Sequence, residues 1–282
     1  MKLVRYGEMG AERPGLIDGE GRLRSVAPLV TDWTPELLSP DALAILGAVD
    51  IDRLPLVPGT PRLGVPVAGL RQIFAVGLNY VDHSVETGLA LTTHPMLFAK
   101  SIASLCGAND DVAIPPGAAK LDWEIELAIV IGRTGRHLSE AEALSHIGGL
   151  CLSIEFSERA WQMEMGGQHG KGKSYDRFTP LGPWLTTMDE VGDPQALAMQ
   201  LEVNDAVRQR GSSSDMVFAI AAIVSHISQF QTLLPGDVIQ TGTPAGVAYG
   251  AENPVYLKPG DVVTCRADKL GTQRHRIVTE QV

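Results

Sequence analysis

The stretch from Leu121 to Ile131 (LDWEIELAIVI) constrains the fold of this chain more than any other. Every odd-numbered position is apolar, while the even-numbered positions begin with three acids and continue with Ala128 and Val130. Side chains alternate between the two faces of a β-strand. The stretch therefore predicts a strand that is buried on both faces at one end and acidic on one face at the other. A second apolar strand is predicted for residues 147–156, with Glu155 close to its end.

Glu124 and Glu126 would lie on the same face of the predicted strand, roughly 6.5–7 Å apart along the backbone. Glu155 would add a third carboxylate from the second strand. An isolated pair of this kind usually marks a solvated strand edge. Here apolar residues continue on the same face, and a buried pair without a cation would suffer repulsion and desolvation. The pattern favours a site for a divalent metal, Mg²⁺ or Mn²⁺, with Ca²⁺ as a non-native occupant.

Composition excludes several other classes of function. The formal net charge is −10 and no run of Lys or Arg occurs, so nucleic acid is not an expected partner. The longest apolar run, Val217 to Val224, is far shorter than the roughly 20 residues that cross a bilayer, so no membrane association is expected. The three scattered cysteines and the absence of an apolar signal core favour a cytoplasmic location.

The element pattern predicts an α+β fold dominated by strands. Residues 1–65 predict a small β-rich N-terminal domain, and a run of prolines near residue 60 separates it from a main domain at 66–282. We expect a strand at residues 72–76 and helices at 139–146, from Ser157 to Met165, and from Asp215 to about Gln231. Ser157 is the expected N-cap of the second of these helices.

Residues 167–174 (GQHGKGKS) match the phosphate-loop pattern GxxxxGK[ST]. That motif binds phosphate only between a buried strand and a helix. The preceding residues here predict a helix and the following segment is stopped by Pro180, so we do not predict a nucleotide site. Lys173 remains a candidate for contact with an anion.

Six segments together resemble the fumarylacetoacetate hydrolase family, and they occur in family order between residues 70 and 265. They are residues 77–86 (GLNYVDHSVE), 122–127 (DWEIEL), 154–162 (IEFSERAWQ), 172–174 (GKS), 204–209 (NDAVRQ) and 240–244 (QTGTP). The sequence from Trp161 to Trp184 is most similar to that of the family branch that acts on 2,4-diketo-3-deoxy sugar acids, such as the L-rhamnonate and L-fuconate derivatives.

The resemblance implies a mixed β-sandwich roll as the catalytic domain, usually in a homodimer. It implies that Glu124, Glu126 and Glu155 hold the metal. The family usually has Asp at the third ligand position and Asp after the arginine, whereas this chain has Glu155 and, after Arg159, Ala160.

The resemblance also assigns roles around the substrate. His83 and Glu86 would form the dyad that activates water, and their spacing places both on one face of a helix. Lys173 would neutralise the substrate or its enolate. The substrate-binding candidates are Gln162, Arg208, Gly242 and Thr243, and Arg208 serves equally well as a surface ion-pairing residue. His169 is a weaker candidate for contact with substrate.

The activity implied is metal-dependent hydrolysis of a small anionic 2,4-diketo acid between C3 and C4, releasing pyruvate and a hydroxy acid such as lactate. Two alternatives use related chemistry: an oxaloacetate-type decarboxylase or tautomerase, and a ureidoglycolate lyase. A non-catalytic binding protein is a third alternative, supported only by Glu155 and Ala160.

Overall fold

The computed structural model describes residues 1–280. The strands are β1 Lys2–Tyr6, β2 Arg13–Ile17, β3 Leu23–Ser25, β4 Ile73–Gly77, β5 Met96–Lys100, β6 Leu105–Cys106, β7 Val112–Ile114, β8 Leu121–Asp122, β9 Ile125–Ile131, β10 Ile147–Ile154, β11 Ser157–Glu158, β12 Thr179–Thr187, β13 Ala198–Val203, β14 Ala206–Ser212, β15 Val238–Gln240, β16 Val262–Ala267 and β17 Gly271–Thr279. The α-helices are α1 Pro40–Gly47, α2 Val81–Thr87, α3 Glu140–Ala143, α4 Arg159–Met163, α5 His169–Lys173, α6 Met188–Val191 and α7 Ile220–Phe230. Short 3-10 turns lie at Pro35–Leu38, Ile51–Arg53, Ile102–Ser104, Leu144–His146 and Ser213–Asp215.

Most strands belong to two mixed sheets. The larger has ten strands in the order β3-β2-β1-β12-β10-β9-β15-β4-β5, with β6 joined to β12. The second has five strands in the order β14-β13-β16-β17-β7, and β8 pairs with β11 in a separate ribbon. This confirms the predicted strand-dominated α+β class.

Strand β9 is buried along its whole length because each face meets a different core. Leu127, Ile129 and Ile131 contribute to a core shared with the smaller sheet and α7. Ala128 and Val130 face a second core that includes Trp33 and other residues of the N-terminal segment. The odd- and even-numbered residues of β9 therefore face two different cores, as the alternating sequence pattern predicted.

The N-terminal strands extend the larger sheet through antiparallel pairing of β1 with β12, with Leu3 opposite Leu185. Thus residues 1–65 contribute strands to the same sheet that carries β9 and β10. The domain boundary near residue 65 stays a prediction. None of the helices within residues 1–280 has the length and apolarity needed to cross a bilayer.

The helix after β10 differs from the prediction at its start. Ser157 lies in the short strand β11, where it pairs with Asp122, and the helix begins at Arg159. The N-cap is Glu158, whose side chain accepts a hydrogen bond from the backbone N–H of Ala160. The assignment of Ser157 as the cap was wrong because strand pairing with β8 takes precedence there. Similarly, α7 starts at Ile220 rather than near Asp215.

Candidate active site

Pairing of β9 with β10 brings the three predicted carboxylates together. Glu126 lies opposite Ser153 in this pair, and just beyond it the backbone N–H of Glu155 donates to the carbonyl of Glu124 at 2.8 Å. One oxygen from each carboxylate lies within 4.8 Å of the others. All three side chains are buried. The predicted strand is interrupted at Trp123 and Glu124, so the cluster forms across a break rather than along one regular strand.

Two lysines hold Glu155 from different directions. Lys173 Nζ, at the end of α5, donates to Glu124 Oε2 and Glu155 Oε2, both at 2.6 Å. Lys100 Nζ, at the end of the edge strand β5, lies 3.0 Å from Glu155 Oε1 and donates to Gln240 Oε1 at 2.9 Å. Both lysines are buried, so these ion pairs are poorly screened by water.

Arg159 gives the cluster a third buried cation. Its guanidinium donates to Glu124 Oε1 at 2.6 Å and to Gln162 Oε1 at 3.0 Å. Burial by itself would raise the pKa of Glu124, but Lys173 and Arg159 outweigh it and hold this pKa well below its usual range. Glu124 is therefore a carboxylate that is already ionised and charge-compensated.

Glu126 has the opposite electrostatic environment. Burial, reinforced by the negative charges of Glu155 and Glu124, raises the pKa of Glu126 well above its usual value. Among residues 1–280 its carboxylate accepts one hydrogen bond, from the backbone N–H of Gly242 at 2.8 Å. Three buried carboxylates supply the hard oxygen atoms that divalent cations prefer, and such a cation would neutralise Glu126. The residues present therefore fit the predicted metal.

The predicted dyad lies on α2, as its spacing required. His83 is buried, and its Nδ1 is 3.6 Å from Glu86 Oε2. This nitrogen has no hydrogen-bond partner within the described part of the chain. The two carboxylate oxygens of Glu86 accept from the backbone N–H of Gly246 at 2.9 and 3.0 Å. Glu86 is thus anchored to the body of the protein beside His83.

One cavity joins these groups. It is lined by His83, the three carboxylates, Lys173, Arg159, Gln162, His169, Gly242 and Thr243, together with an apolar wall that includes Leu78, Leu89, Met96, Phe98 and Met163. Arg208 is not brought to this cavity: it lies on β14 with an exposed side chain. The cavity combines fixed charges with apolar side chains, which suits a short organic anion.

Residues 167–174, which match the phosphate-loop pattern in sequence, do not have the structure of a phosphate loop. Helix α4 and the turn at residues 164–168 precede α5, so residues 167–174 do not lie between a buried strand and a helix. Instead α5 directs Lys173 toward the carboxylates.

The sequence matches a family model along most of its length. The model for the fumarylacetoacetate (FAA) hydrolase C-terminal region covers residues 72–278. This chain belongs to that family. As a member of the fumarylacetoacetate hydrolase family, it is a hydrolase, and the resemblance read from its motifs is confirmed.

Relatives support the same assignment over the full chain. A 2,4-didehydro-3-deoxy-L-rhamnonate hydrolase from Sphingomonas sp. (strain SKA58) is 47% identical over 278 residues, covering 98% of this chain and 96% of the relative. The fumarylacetoacetate hydrolase from the psychrophilic Exiguobacterium antarcticum has a similar structure, with a TM-score of 0.87 at 34% identity, covering 99% of this chain and 100% of that one. The maleylpyruvate hydrolase from Sphingobium sp. SYK-6, in complex with manganese(II) and pyruvate, has a TM-score of 0.83 at 28% identity and covers both chains fully.

Two residues of the site, Lys100 and Asp122, were not predicted from the sequence to belong to it. Lys100 closes an otherwise apolar strand (MLFAK), and a single charge in that position was the available signal. Asp122 was read only as one of the acidic positions of the predicted strand. In the structure its carboxylate accepts a hydrogen bond from Arg159 Nε at 2.8 Å, behind Glu124.

Proposed function

We propose that this protein cleaves the C3–C4 bond of a short 2,4-diketo acid by metal-dependent hydrolysis. A 2,4-diketo-3-deoxy sugar acid such as the L-rhamnonate derivative would give pyruvate and lactate. One observation carries the proposal: the buried cluster of Glu124, Glu126 and Glu155 lines the same cavity as His83 and Lys173. The relative named for the rhamnonate compound and the similar structure that contains pyruvate support the choice of substrate.

Glu124, Glu126 and Glu155 would hold the cation, Mg²⁺ or Mn²⁺. When bound, the cation supplies Lewis-acid polarisation of the 2-keto group and stabilises charge that develops there. Lys173 and Arg159 offer positive charge to the substrate carboxylate. Thr243 also lines the cavity and would offer its hydroxyl to the substrate, while Gly242 lies beside it and donates its backbone N–H to Glu126.

His83 would act as the general base, and Glu86 would orient its imidazole through Nδ1. His83 takes a proton from water, the water oxygen forms a bond to C4, and the C3–C4 bond breaks with its electron pair moving to C3. Protonation at C3 then gives pyruvate, while C4 leaves as the carboxyl carbon of the hydroxy acid. A general base of this kind contributes about 10²–10⁴-fold to a rate.

The apolar wall of the cavity suits the end of the substrate that is remote from the carboxylate. Leu89 and Met96 contribute apolar surface to the cavity, whereas Phe98 lies near the charged groups, with its ring centroid 5.7 Å from Lys173 Nζ. A terminal methyl group would be better accommodated against Leu89 and Met96 than a hydroxymethyl group, because an unpaired hydroxyl would lose its hydration. Homodimer formation and a cytoplasmic location stay predictions.

A panel of 2,4-diketo acids offered with Mn²⁺ tests the proposal, with pyruvate and the second acid measured separately. We expect both acids in equal amounts. His83→Ala and Glu86→Gln should abolish their release without changing folding or Mn²⁺ affinity. His146, which lies outside the cavity, provides the matched control His146→Ala. Full turnover by His83→Ala would place water activation elsewhere, and carbon dioxide released without a second acid would assign a decarboxylase instead.

A further inference from the structure

Asp122 is a completely buried carboxylate that accepts four hydrogen bonds. Its Oδ1 accepts from the backbone N–H groups of Trp123 and Ala248, both at 2.8 Å. Its Oδ2 accepts from the backbone N–H of Tyr249 at 2.9 Å and from Arg159 Nε at 2.8 Å. One side chain therefore joins the segment before Glu124, helix α4, and the loop at residues 246–250.

This loop, residues 246–250, holds Glu86. Gly246 donates its backbone N–H to the Glu86 carboxylate. At the other end of the loop, Gly250 packs so closely that a Cβ atom there would lie 2.3 Å from Glu86 Cγ. Three residues lie between Gly246 and Gly250, and two of them, Ala248 and Tyr249, donate their backbone N–H groups to Asp122. The carbonyl of Gly246 also accepts from Trp123 Nε1 at 3.1 Å.

The same carboxylate also fixes a cation of the cavity. Arg159 donates Nε to Asp122 and Nη2 to Glu124 Oε1, the latter at 2.6 Å. The ring of Tyr249 covers the guanidinium, with 5.4 Å between Arg159 Cζ and the ring centroid. Asp122 thus contacts two supports of the site. One is the loop at residues 246–250, which holds Glu86, and the other is Arg159, which binds Glu124.

We propose that Asp122 is a positioning residue that sets the Glu86–His83 dyad in register with Arg159 and Glu124. It acts through the loop at residues 246–250 and does not contact the reacting atoms. The catalytic part of this inference rests on the proposed function. Its physical basis is that a displacement of a catalytic group by about 1 Å can cost 10²-fold in rate, so a rigid support contributes directly to turnover.

Substitution by asparagine tests this role with little change in volume. Each oxygen of Asp122 accepts two donors, so an amide NH2 in place of either oxygen faces two N–H groups and leaves them without a partner. The chain offers a matched control in Asp110. This buried carboxylate likewise binds an arginine, Arg62, and a backbone N–H, that of Gly107.

The first experiment measures amide hydrogen exchange of the metal-free full chain without substrate. We expect Asp122→Asn to raise exchange at least tenfold in residues 81–89 and 244–250, while Asp110→Asn leaves both segments unchanged. Equal exchange of these segments in the two variants would overturn the proposal. Because no substrate is present, this result is independent of whether the proposed reaction is correct.

The second experiment measures turnover and Mn²⁺ binding. Asp122→Asn should lower kcat by about 10²-fold, with Mn²⁺ affinity within fivefold of the parent, whereas Asp110→Asn should keep kcat within threefold. A loss of activity that only follows the fraction of unfolded protein in both variants would contradict the positioning role. If Asp122→Asn does not fold, amide exchange of the parent protein tests the anchor directly, because Ala248 and Tyr249 donate their backbone N–H groups to Asp122. Exchange of these two amides in the parent as fast as that of exposed, unbonded amides would overturn the proposal.

Discussion

Gly250→Ala should disable the dyad while leaving the fold intact. The backbone of Gly250 does not adopt the left-handed conformation, so a methyl group adds no backbone strain there. The added Cβ would lie 2.3 Å from Glu86 Cγ and 2.6 Å from Cδ, whereas ordinary contacts begin at 3.4 Å. Relief of this contact requires Glu86 and the backbone at Gly250 to separate by about 1.1 Å (3.4 − 2.3), and either movement disturbs the seat of the Glu86 carboxylate on the Gly246 N–H.

A displacement of this size sets the expected loss of activity. Misplacement by about 1 Å costs about 10²-fold in rate, equivalent to ~2.7 kcal/mol of transition-state stabilisation at 1.36 kcal/mol per tenfold. Because the Glu86 side chain is only partly buried, we expect the free energy of unfolding to change by less than about 1 kcal/mol.

Pyruvate release at saturating Mn²⁺ measures the effect, and thermal unfolding measures the fold. Gly19→Ala is the matched control, because a Cβ at Gly19 would meet no atom within 4 Å. A kcat for Gly250→Ala within threefold of the parent would show that turnover does not depend on the position of Glu86. A parallel loss of activity and stability in that variant would point to misfolding rather than to the dyad.

Three further predictions concern the metal site. Lys173→Met removes an ammonium group that lies 2.6 Å from both Glu124 and Glu155. We expect calorimetry to show that Mn²⁺ binds about tenfold more tightly to this variant, while kcat falls about 10²–10³-fold. Weaker Mn²⁺ binding by the variant would contradict this expectation. Excess chelator should abolish activity and Mg²⁺ or Mn²⁺ should restore it, whereas full activity in chelator would end the metal argument. Because burial and the charges of Glu155 and Glu124 raise the pKa of Glu126, its proton must leave before a cation binds, so Mn²⁺ affinity should rise as pH rises toward that pKa. Calorimetry in buffers of different ionisation enthalpy should detect proton release when Mn²⁺ binds, and an affinity that does not change with pH would contradict the assignment.

The sequence was sufficient to predict the carboxylate cluster because the relevant geometry is local. Strand alternation places Glu126 correctly, and the end of the neighbouring apolar strand supplies Glu155. Helical spacing likewise brings His83 and Glu86 together on α2. These relationships depend on a few residues within one element or one antiparallel pair.

The supporting groups depend on register between distant elements, which the sequence does not display. Lys100 reaches Glu155 only because β5 lies beside β4, and β4 beside β15, in the larger sheet. Gly246 binds Glu86 through a backbone N–H, which carries no residue-type signal. Arg208, in contrast, belongs to a motif of the family but lies on an exposed strand face outside the cavity.

The attachment of β1 to β12 limits how this protein can be shortened. The family model begins at residue 72, so a fragment cut to that range would lose β1, β2 and β3. Strand β12 would then become an edge strand, with the N–H and C=O groups that now pair with β1 left unpaired, and Leu185 would lose its cover of apolar side chains. Exposed edge strands pair with strands from other molecules. Shortened forms should therefore self-associate, and studies of the catalytic region are best made on the whole polypeptide.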